Sequence, residues 1–251
     1  MHFRLVLASL LLWSGVASAQ KNFILDRQPK RGFVAVSAGV SQPMGRFASL
    51  DGTDEQAGMA GRGIALNGSA GYLLAGPVGL MIQGQHTKNA LQTAGLLSSF
   101  YRLEGDTWTA AAGDWTITTV MAGPYVTLPL GRVSLDVRAM AGRTAVVCPA
   151  TSLLGQTGGI EFSVRSEPCR GQAMAYGTGI TARYRLGLNT ALNLSADYVN
   201  SKVSLETTTT SQSDTGFFRD QSATYTVQKP ISLVSVSAGI SILFGNRNRV
   251  F

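Results

Sequence analysis

Residues 231–244 read ISLVSVSAGISILF. Apolar side chains occupy every second position from Val234 to Phe244, and the positions between them carry mainly Ser and Gly. A period of two over this length is a strong signal of a β-strand whose two faces meet different surroundings. The segment therefore predicts a strand with one strongly apolar face and one face of small side chains.

The same alternation recurs along the chain and predicts eight strands. They are expected at 32–40, 62–74, 78–87, 115–130, 133–147, 171–186, 191–202 and 231–244. Three connections are short turns, and the other four are long, near 41–61, 88–114, 148–170 and 203–230. Short periplasmic turns that alternate with long outer loops are typical of antiparallel up-and-down transmembrane β-barrels, and an even strand number is expected to leave both chain ends on the periplasmic side.

Alternation alone also fits a soluble sandwich or a lipocalin-like barrel, whose polar face would meet water. Here the polar face of the strand at 231–244 carries Ser and Gly, and that of the strand at 115–130 carries Met, Gly, Tyr and Thr, where a solvated strand would carry Lys, Glu and Arg. Charged residues make up 14% of the chain, against about 25% in ordinary soluble domains. Small uncharged residues suit a crowded barrel interior, so the apolar face is predicted to contact lipid.

The N-terminus has the features of a cleaved export signal. Arg4 precedes an apolar run, and Ala17-Ser18-Ala19 forms a small-residue cleavage site. The run is shorter than the roughly 20 residues of a spanning helix, which argues against an uncleaved anchor. We expect a signal peptide at 1–19, a periplasmic tail at 20–31, the barrel at 32–246 and a C-terminal tail at 247–251, with the protein in the bacterial outer membrane.

Aromatic residues near the strand ends predict interfacial girdles. Tyr72, Tyr184 and Phe244 fall at the short-turn end, and Trp115 and Tyr198 fall toward the long-loop end. Aromatic rings favour the two membrane–water interfaces. Ordinary β-propensity of aromatic residues is the alternative explanation.

Charged residues on the polar faces of neighbouring strands predict a network in the lumen. The members are Asp136, Arg138, Arg183, Arg185 and Asp197. Pairing across the Gly187 turn is expected to place Arg183 diagonal to Asp197, within cross-strand reach. Buried charges need such partners. The network would fill the lumen or, alternatively, form a gate or an ion path.

Pairing across the Gly131 turn is expected to place Asp136 opposite Tyr125 and Arg138 opposite Gly123. Glycine at that position would leave room for the guanidinium group of Arg138.

Cys148 and Cys169 lie in one predicted loop, and an even pair in an oxidising compartment predicts a disulfide.

Neither a metal site nor a cofactor site is indicated, because His86 is the only histidine after the signal segment. By parity His86 lies on the lipid face, with Ser98 and Ser99 in the following loop.

The long loops contain two further features. An apolar segment near 90–103 predicts a short amphipathic helix, and a Thr- and Ser-rich run at 207–213 predicts a strand end or a flexible loop.

Residues 122–131, AGPYVTLPLG, and residues 238–245, AGISILFG, resemble segments of small bacterial outer-membrane β-barrels of the OmpA/OmpX-like superfamily, including those common in Bacteroidetes. The resemblance covers about residues 32–244. It implies insertion by the barrel-assembly machinery, which reads a final strand that ends in an aromatic residue. Phe244 fits that signal by alternation, whereas Phe251 is the last residue but follows a polar interruption.

We expect a monomer surrounded by outer-membrane lipid, without catalytic activity and without a nucleic-acid partner. Its role would be structural or would lie in adhesion-like contact of the outer loops with an unidentified surface ligand. A small channel is the first alternative. A barrel enzyme that modifies lipid A is the second alternative, and it would depend on His86 with a nearby serine.

Overall fold

The computed structural model describes residues 30–98, 107–157, 160–213 and 221–246. Its strands are antiparallel and belong to one sheet. They are β1 (Lys30–Pro43), β2 (Ala60–Ala75), β3 (Val78–Leu91), β4 (Thr107–Ala112), β5 (Asp114–Leu130), β6 (Val133–Val147), β7 (Thr151–Thr157), β8 (Ile160–Ser166), β9 (Arg170–Arg185), β10 (Thr190–Ser213) and β11 (Gln221–Asn246).

Eight of these strands close into a barrel. The ring runs β11, β1, β2, β3, β5, β6, β9 and β10, and the β10–β11 pairing closes it. These are the eight strands that the alternation predicts, which confirms the all-β, eight-stranded antiparallel barrel. Tight turns join β2 to β3 and β5 to β6, where Gly76 and Gly131 adopt φ of +54° and +68°, the left-handed region that glycine enters without strain.

The strands are strongly staggered around the ring. A row of directly paired residues starts at Ser201 in β10 and crosses all the remaining strands of the ring in turn. It returns to β10 at Ala191, ten residues nearer the short-turn end. Such a stagger accompanies strands that tilt by about 35–45° from the barrel axis. Positions at equal height therefore do not lie on one row, and each step around the ring shifts the level by slightly more than one residue.

The same sheet continues outward beyond the barrel, in an extension that the sequence patterns did not reveal. The outer part of β10 pairs with β11 on one side and with β8 on the other, followed by β7 and β4. We name these five segments the outer sheet. The reading of 207–213 as a strand end is confirmed, because β10 continues to Ser213.

Two short helices lie in the long connections. A 3-10 helix covers Gly45–Ala48 and an α-helix, α1, covers Thr93–Ser98. Of the predicted helix at 90–103, residues 90–91 belong to β3 and residues 93–98 are helical, while residues 99–103 lie outside the described residues. Within the described ranges, helices that are long and apolar enough to cross a membrane are absent.

Candidate functional site

The polarity of the barrel is the reverse of that of a soluble protein. Large apolar side chains cover the exterior, with Val36, Ile64 and Leu130 each more than 60% exposed. The interior buries Ser41, Asn89 and other polar groups almost completely. Because only hydrocarbon makes so large a continuous apolar surface stable, the exterior is a lipid-facing surface. The molecule is a transmembrane β-barrel. Closed barrels with this apolar band belong to the bacterial outer membrane.

Exposed aromatic rings mark both edges of the apolar band of the barrel. Tyr72, Tyr184 and Phe244 lie on the exterior at the short-turn end, and Tyr198 lies on the exterior at the other end. Tyr176, which the sequence reading missed, is 62% exposed and lies eight residues from Tyr184 on β9. Eight tilted strand residues span roughly 20 Å along the axis, close to the height of an outer-membrane apolar band.

Trp115 does not belong to the girdle, and this part of the prediction is wrong. Its side chain is buried inside the barrel, and its indole Nε1 donates a hydrogen bond to the Gly58 carbonyl oxygen at 2.9 Å. The physical reason is parity, because position 115 shares the inward face of β5 with Met121 and Tyr125. Nearness to a strand end does not move a residue to the other face.

Trp115 instead helps to close the outer end of the lumen. Phe47, from the 3-10 helix, is fully buried and packs edge-on against Trp115 with ring centroids 5.3 Å apart. Ile117, Val146 and Leu233 belong to the same apolar cluster. The segment 44–59, which we name the mouth segment, thus folds down into the barrel and fills its outer mouth.

Two ion pairs lie inside the lumen. Arg138 pairs with Asp197, and its Nε lies 3.0 Å from Asp197 Oδ1. Arg183 pairs with Asp136. All four residues are buried. The predicted charge cluster therefore exists as two discrete pairs.

Neutral hydroxyl groups add hydrogen bonds to these charges, although Arg183 Nε and Asp197 Oδ2 have no hydrogen-bond partner among the described residues. Thr181 Oγ1 accepts a hydrogen bond from Arg138 at 2.6 Å, and Thr127 Oγ1 donates one to Asp136 at 2.7 Å. The guanidinium carbon of Arg183 also lies 3.7 Å from the centre of the Phe33 ring. Buried charges persist when they are paired and hydrogen-bonded in this way.

The expected partners of Arg183 and Arg138 are wrong, because both registers are shifted by two residues. Arg183 lies opposite Asn193 on β10 and pairs with Asp136, so it does not pair with Asp197. The prediction requires Leu186 opposite Leu192, whereas the turn at 186–189 closes with Leu186 N donating to Thr190 O and so places Tyr184 opposite Leu192.

Across the Gly131 turn, Leu130 pairs directly with Val133. This tight closure places Asp136 opposite Thr127 and Arg138 opposite Tyr125. The glycine that leaves room for Arg138 is consequently Gly179, its partner on β9, and not Gly123.

Arg185 lies apart from the two ion pairs. It lines a cavity of about 330 Å³ at the short-turn mouth together with Lys30, Arg31 and Arg132. Arg183 forms the inner wall of this cavity. The basic mouth is open to the periplasm, whereas the lumen above it is filled.

Small polar side chains fill the lumen between the ion pairs and the outer plug. Ser237 Oγ is hydrogen-bonded to Asn67, Ser195 and Ser37 at 2.7–3.2 Å, and Gln85 Nε2 donates to Ser235 Oγ at 2.8 Å. An enclosed space of about 10 Å³ remains beside Asn67 and Asp197. That is room for about one water molecule, so the centre of the lumen is packed.

The disulfide joins Cys148, which follows the last residue of β6, to Cys169, which precedes the first residue of β9, at the base of the outer sheet. It lines a cavity of about 450 Å³ between the mouth segment and the inner face of the outer sheet. Lys229 forms part of the wall and donates hydrogen bonds from Nζ to the carbonyl oxygens of Glu55 (3.0 Å) and Ala57 (2.6 Å). Burial lowers the pKa of Lys229 below its usual 10.5, and the nearby Asp54 and Glu55 carboxylates oppose this shift.

His86 lies on the lipid-facing exterior, as its parity predicts. Its Nδ1 lies 2.9 Å from Thr118 Oγ1. Among the residues that the structure describes, no group of His, Cys, Asp and Glu side chains could hold a metal ion. Ser99 lies outside the described residues, as do the expected signal peptide and Phe251.

No family model and no curated protein matches the chain. Several solved structures resemble it in overall shape. Neisserial surface protein A has 12% sequence identity and a TM-score of 0.45 over 85% of this chain and 97% of its own. Ail, the attachment invasion locus protein of Yersinia pestis, has 13% identity and a TM-score of 0.39 over 84% and 99%. The outer membrane protease OmpT from Escherichia coli has 8% identity and a TM-score of 0.39 over 86% and 97%.

The proteins with similar structures include a surface protein, an attachment protein and a protease. Such distant likenesses do not distinguish one activity from another, and the role of this barrel rests on its own geometry.

Proposed function

We propose that the barrel is a non-conducting, non-catalytic anchor that presents its outer sheet for contact with a surface ligand. The observation that carries this proposal is that the lumen is filled while the outer sheet is ordered by hydrogen-bonded strands. Loops that are positioned by a rigid scaffold are the common sites of recognition. Here hydrogen-bonded strands replace loose loops, so a ligand would meet an ordered surface.

The outer sheet has the features of a rigid display surface. Hydroxyl groups join its strands, with Thr208 Oγ1 3.0 Å from Thr224 Oγ1 and Ser166 Oγ 3.1 Å from Thr209 Oγ1. The disulfide fixes its base, and Lys229 ties the mouth segment to its inner side. An ordered sheet loses less conformational entropy on binding than a disordered loop.

The absence of catalysis is part of the same proposal. Hydrolysis by a histidine-based site needs a nucleophile and an acid on the same side of the wall as the imidazole. The neighbour of His86 is a threonine on the lipid face, and the buried carboxylates of Asp136 and Asp197 are both engaged by arginines inside the lumen. Mass spectrometry of lipid A from cells with and without the protein is expected to give identical profiles.

The experiment compares intact cells that express the full chain with cells that express a variant in which residues 151–166, the β7–β8 hairpin, are replaced by a short Gly-Ser turn. Both are applied to an array of immobilised glycans and matrix proteins. We expect the full chain to be retained on at least one array element and the variant to lose that retention. Heat-modifiable gel migration verifies that both barrels fold. Equal retention of both cell types across the array would contradict the proposal.

Planar-bilayer recording separates the anchor from the channel alternative. The filled lumen and the Phe47 plug predict no current above the lipid baseline for the purified protein. Stable stepwise conductance would support a channel in its place.

A further inference from the structure

A belt of basic side chains surrounds most of the barrel just above the apolar band. Arg62 on β2, Lys88 on β3, Arg143 on β6 and Lys202 on β10 are all exposed on the exterior. After correction for the stagger of the strands, their Cα atoms lie within about 8 Å of one another in height. We name these four residues the basic belt.

The belt lies at the level where lipid headgroups begin. Its residues stand just outward of Tyr176 and Tyr198, which mark the outer edge of the apolar band. Below the belt, the exterior of the described strands carries no Asp, Glu, Lys or Arg until the short-turn end is reached. The exposed carboxylates of Asp114 and Glu206 lie farther outward along their strands.

Among the residues that the structure describes, no ion pair involves a belt residue. Arg62 Nε donates to the neutral Gln42 Oε1 at 2.8 Å, which holds the guanidinium at the surface without neutralising it. The positive charge of the belt is therefore directed at the surroundings.

An apolar groove lies directly below two belt residues. It has a volume of about 610 Å³, and Val126, Val137, Ile180 and Tyr198 form its rims. Ala139, Gly179 and Ala196, which have small side chains or none, also line it, and the buried Arg138 and Asp197 lie beside them in its wall. Arg143 and Lys202, which stand above the groove, are carried by the strands on either side of β9, about 10 Å apart.

We propose that the belt and the groove together bind a phosphorylated glycolipid of the outer leaflet. The phosphate monoesters of its sugar headgroup would contact Arg143 and Lys202, and one of its acyl chains would lie in the groove. Two cations about 10 Å apart, on the strands either side of β9, match a headgroup with two separated phosphates better than they match the single diester of a phospholipid. Basic residues beside a membrane attract anionic headgroups, and the attraction weakens as salt screens it.

The first test measures lipid binding to the purified full chain in detergent by native mass spectrometry, with bisphosphorylated lipid A as the probe. The belt variant combines Arg62→Gln, Lys88→Gln, Arg143→Gln and Lys202→Gln. The control variant combines Arg31→Gln, Arg46→Gln, Arg132→Gln and Arg165→Gln, so it loses the same charge elsewhere. We expect the belt variant to bind at least about 10-fold more weakly than wild type and the control to stay within about twofold.

Two further probes identify the chemistry of the headgroup. Dephosphorylated lipid A and phosphatidylglycerol are each expected to bind at least about 10-fold more weakly than bisphosphorylated lipid A to the wild-type protein. Equal binding of either probe would overturn the assignment, as would equal binding of bisphosphorylated lipid A by the belt and control variants. If the fourfold belt variant does not show heat-modifiable migration, the Arg143→Gln, Lys202→Gln double variant replaces it.

The groove is tested without changing charge. Ala196→Phe places a ring in the groove, whereas Leu66→Phe enlarges a side chain on the lipid face of β2, away from the groove. We expect Ala196→Phe to weaken binding of bisphosphorylated lipid A several-fold and Leu66→Phe to leave it unchanged. Equal affinities for the two variants would show that the groove takes no acyl chain and would overturn this part of the proposal.

Discussion

Arg138 and Asp197 lie on either side of Gly179 in one hydrogen-bonded row, and their ion pair passes over the position where a side chain at 179 would stand. A Cβ atom at Gly179 would lie 2.2 Å from Asp197 Oδ1 and 2.7 Å from Arg138 Nε. Because both atoms belong to a buried ion pair, a methyl group at position 179 would have to displace part of that pair.

Gly179→Ala is therefore expected to destabilise the barrel by about 3 kcal/mol, since breaking a buried pair leaves an uncompensated charge. The measurement is urea unfolding of the refolded protein in detergent, followed by tryptophan fluorescence. Gly68→Ala is the matched control, because a Cβ at Gly68 would meet no atom within 4 Å. Equal unfolding midpoints for the two variants would show that the pair tolerates the extra carbon.

Asp136→Asn is expected to cost about 3–5 kcal/mol, because Arg183 then remains charged in the lumen without its partner. Adding Arg183→Met to the same chain should recover much of this loss, since the unpaired charge is removed. Asp114→Asn changes an exposed carboxylate and serves as the control. If the double variant is as unstable as Asp136→Asn alone, the loss does not come from the unpaired arginine.

Phe47→Ala is expected to loosen the plug at the outer mouth. Removing a fully buried aromatic ring costs about 3–5 kcal/mol when the cavity cannot collapse. Limited proteolysis should then cut the mouth segment, while the barrel strands remain resistant. Leu50→Ala, at a 41% exposed position in the same segment, should leave the digestion pattern unchanged. Cleavage of the two variants at the same rate would argue against a packed plug.

Reduction of the Cys148–Cys169 disulfide is expected to destabilise the protein by about 3 kcal/mol, the value for closing a loop of about 20 residues in the chain-entropy model. The Cys148→Ser, Cys169→Ser variant should match the reduced wild type in its unfolding midpoint. Thiol titration of the untreated, unfolded protein should detect no free thiol. A titre of two thiols per chain would refute the bridge.

The Lys229 ammonium is expected to make the docking of the mouth segment pH-dependent. Its pKa is lowered by burial, so between that pKa and 10.5 the unfolded state binds more protons than the folded state. The docked segment therefore gains stability as pH rises through this interval. Hydrogen exchange of residues 44–59 at several alkaline pH values measures the effect, and Lys229→Gln should remove it. An identical pH slope in that variant would assign the titration to another group.

The ring of eight strands was predictable because one face of every strand must match hydrocarbon, which imposes a period of two that is visible in single segments such as 231–244. The outer sheet was not predictable in this way. Its segment 107–112 reads TWTAAA and has few large apolar residues, since it is supported by β7 on one side and not by lipid.

The candidate site was predicted in its composition but not in its pairing. Parity assigns Asp136, Arg138 and Arg183 to the lumen, yet parity is unchanged by a shift of two residues. The partners depend on the register, which the turns determine through closures such as Leu130 with Val133. For Trp115 the parity was correct and was not used. The girdle was predicted from its position near a strand end, although its parity places the side chain inside the barrel.

The length of β10 determines how far the outer sheet projects from the membrane. Eleven residues separate Lys202, at the headgroup level, from the end of the strand at Ser213, and a tilted strand of that length rises roughly 25 Å. The tip of the outer sheet thus stands well clear of the lipid headgroups, where large particles such as antibodies or bacteriophages can contact it. Sequence change at the tip would alter recognition by such agents without disturbing the part of the wall that lies in hydrocarbon.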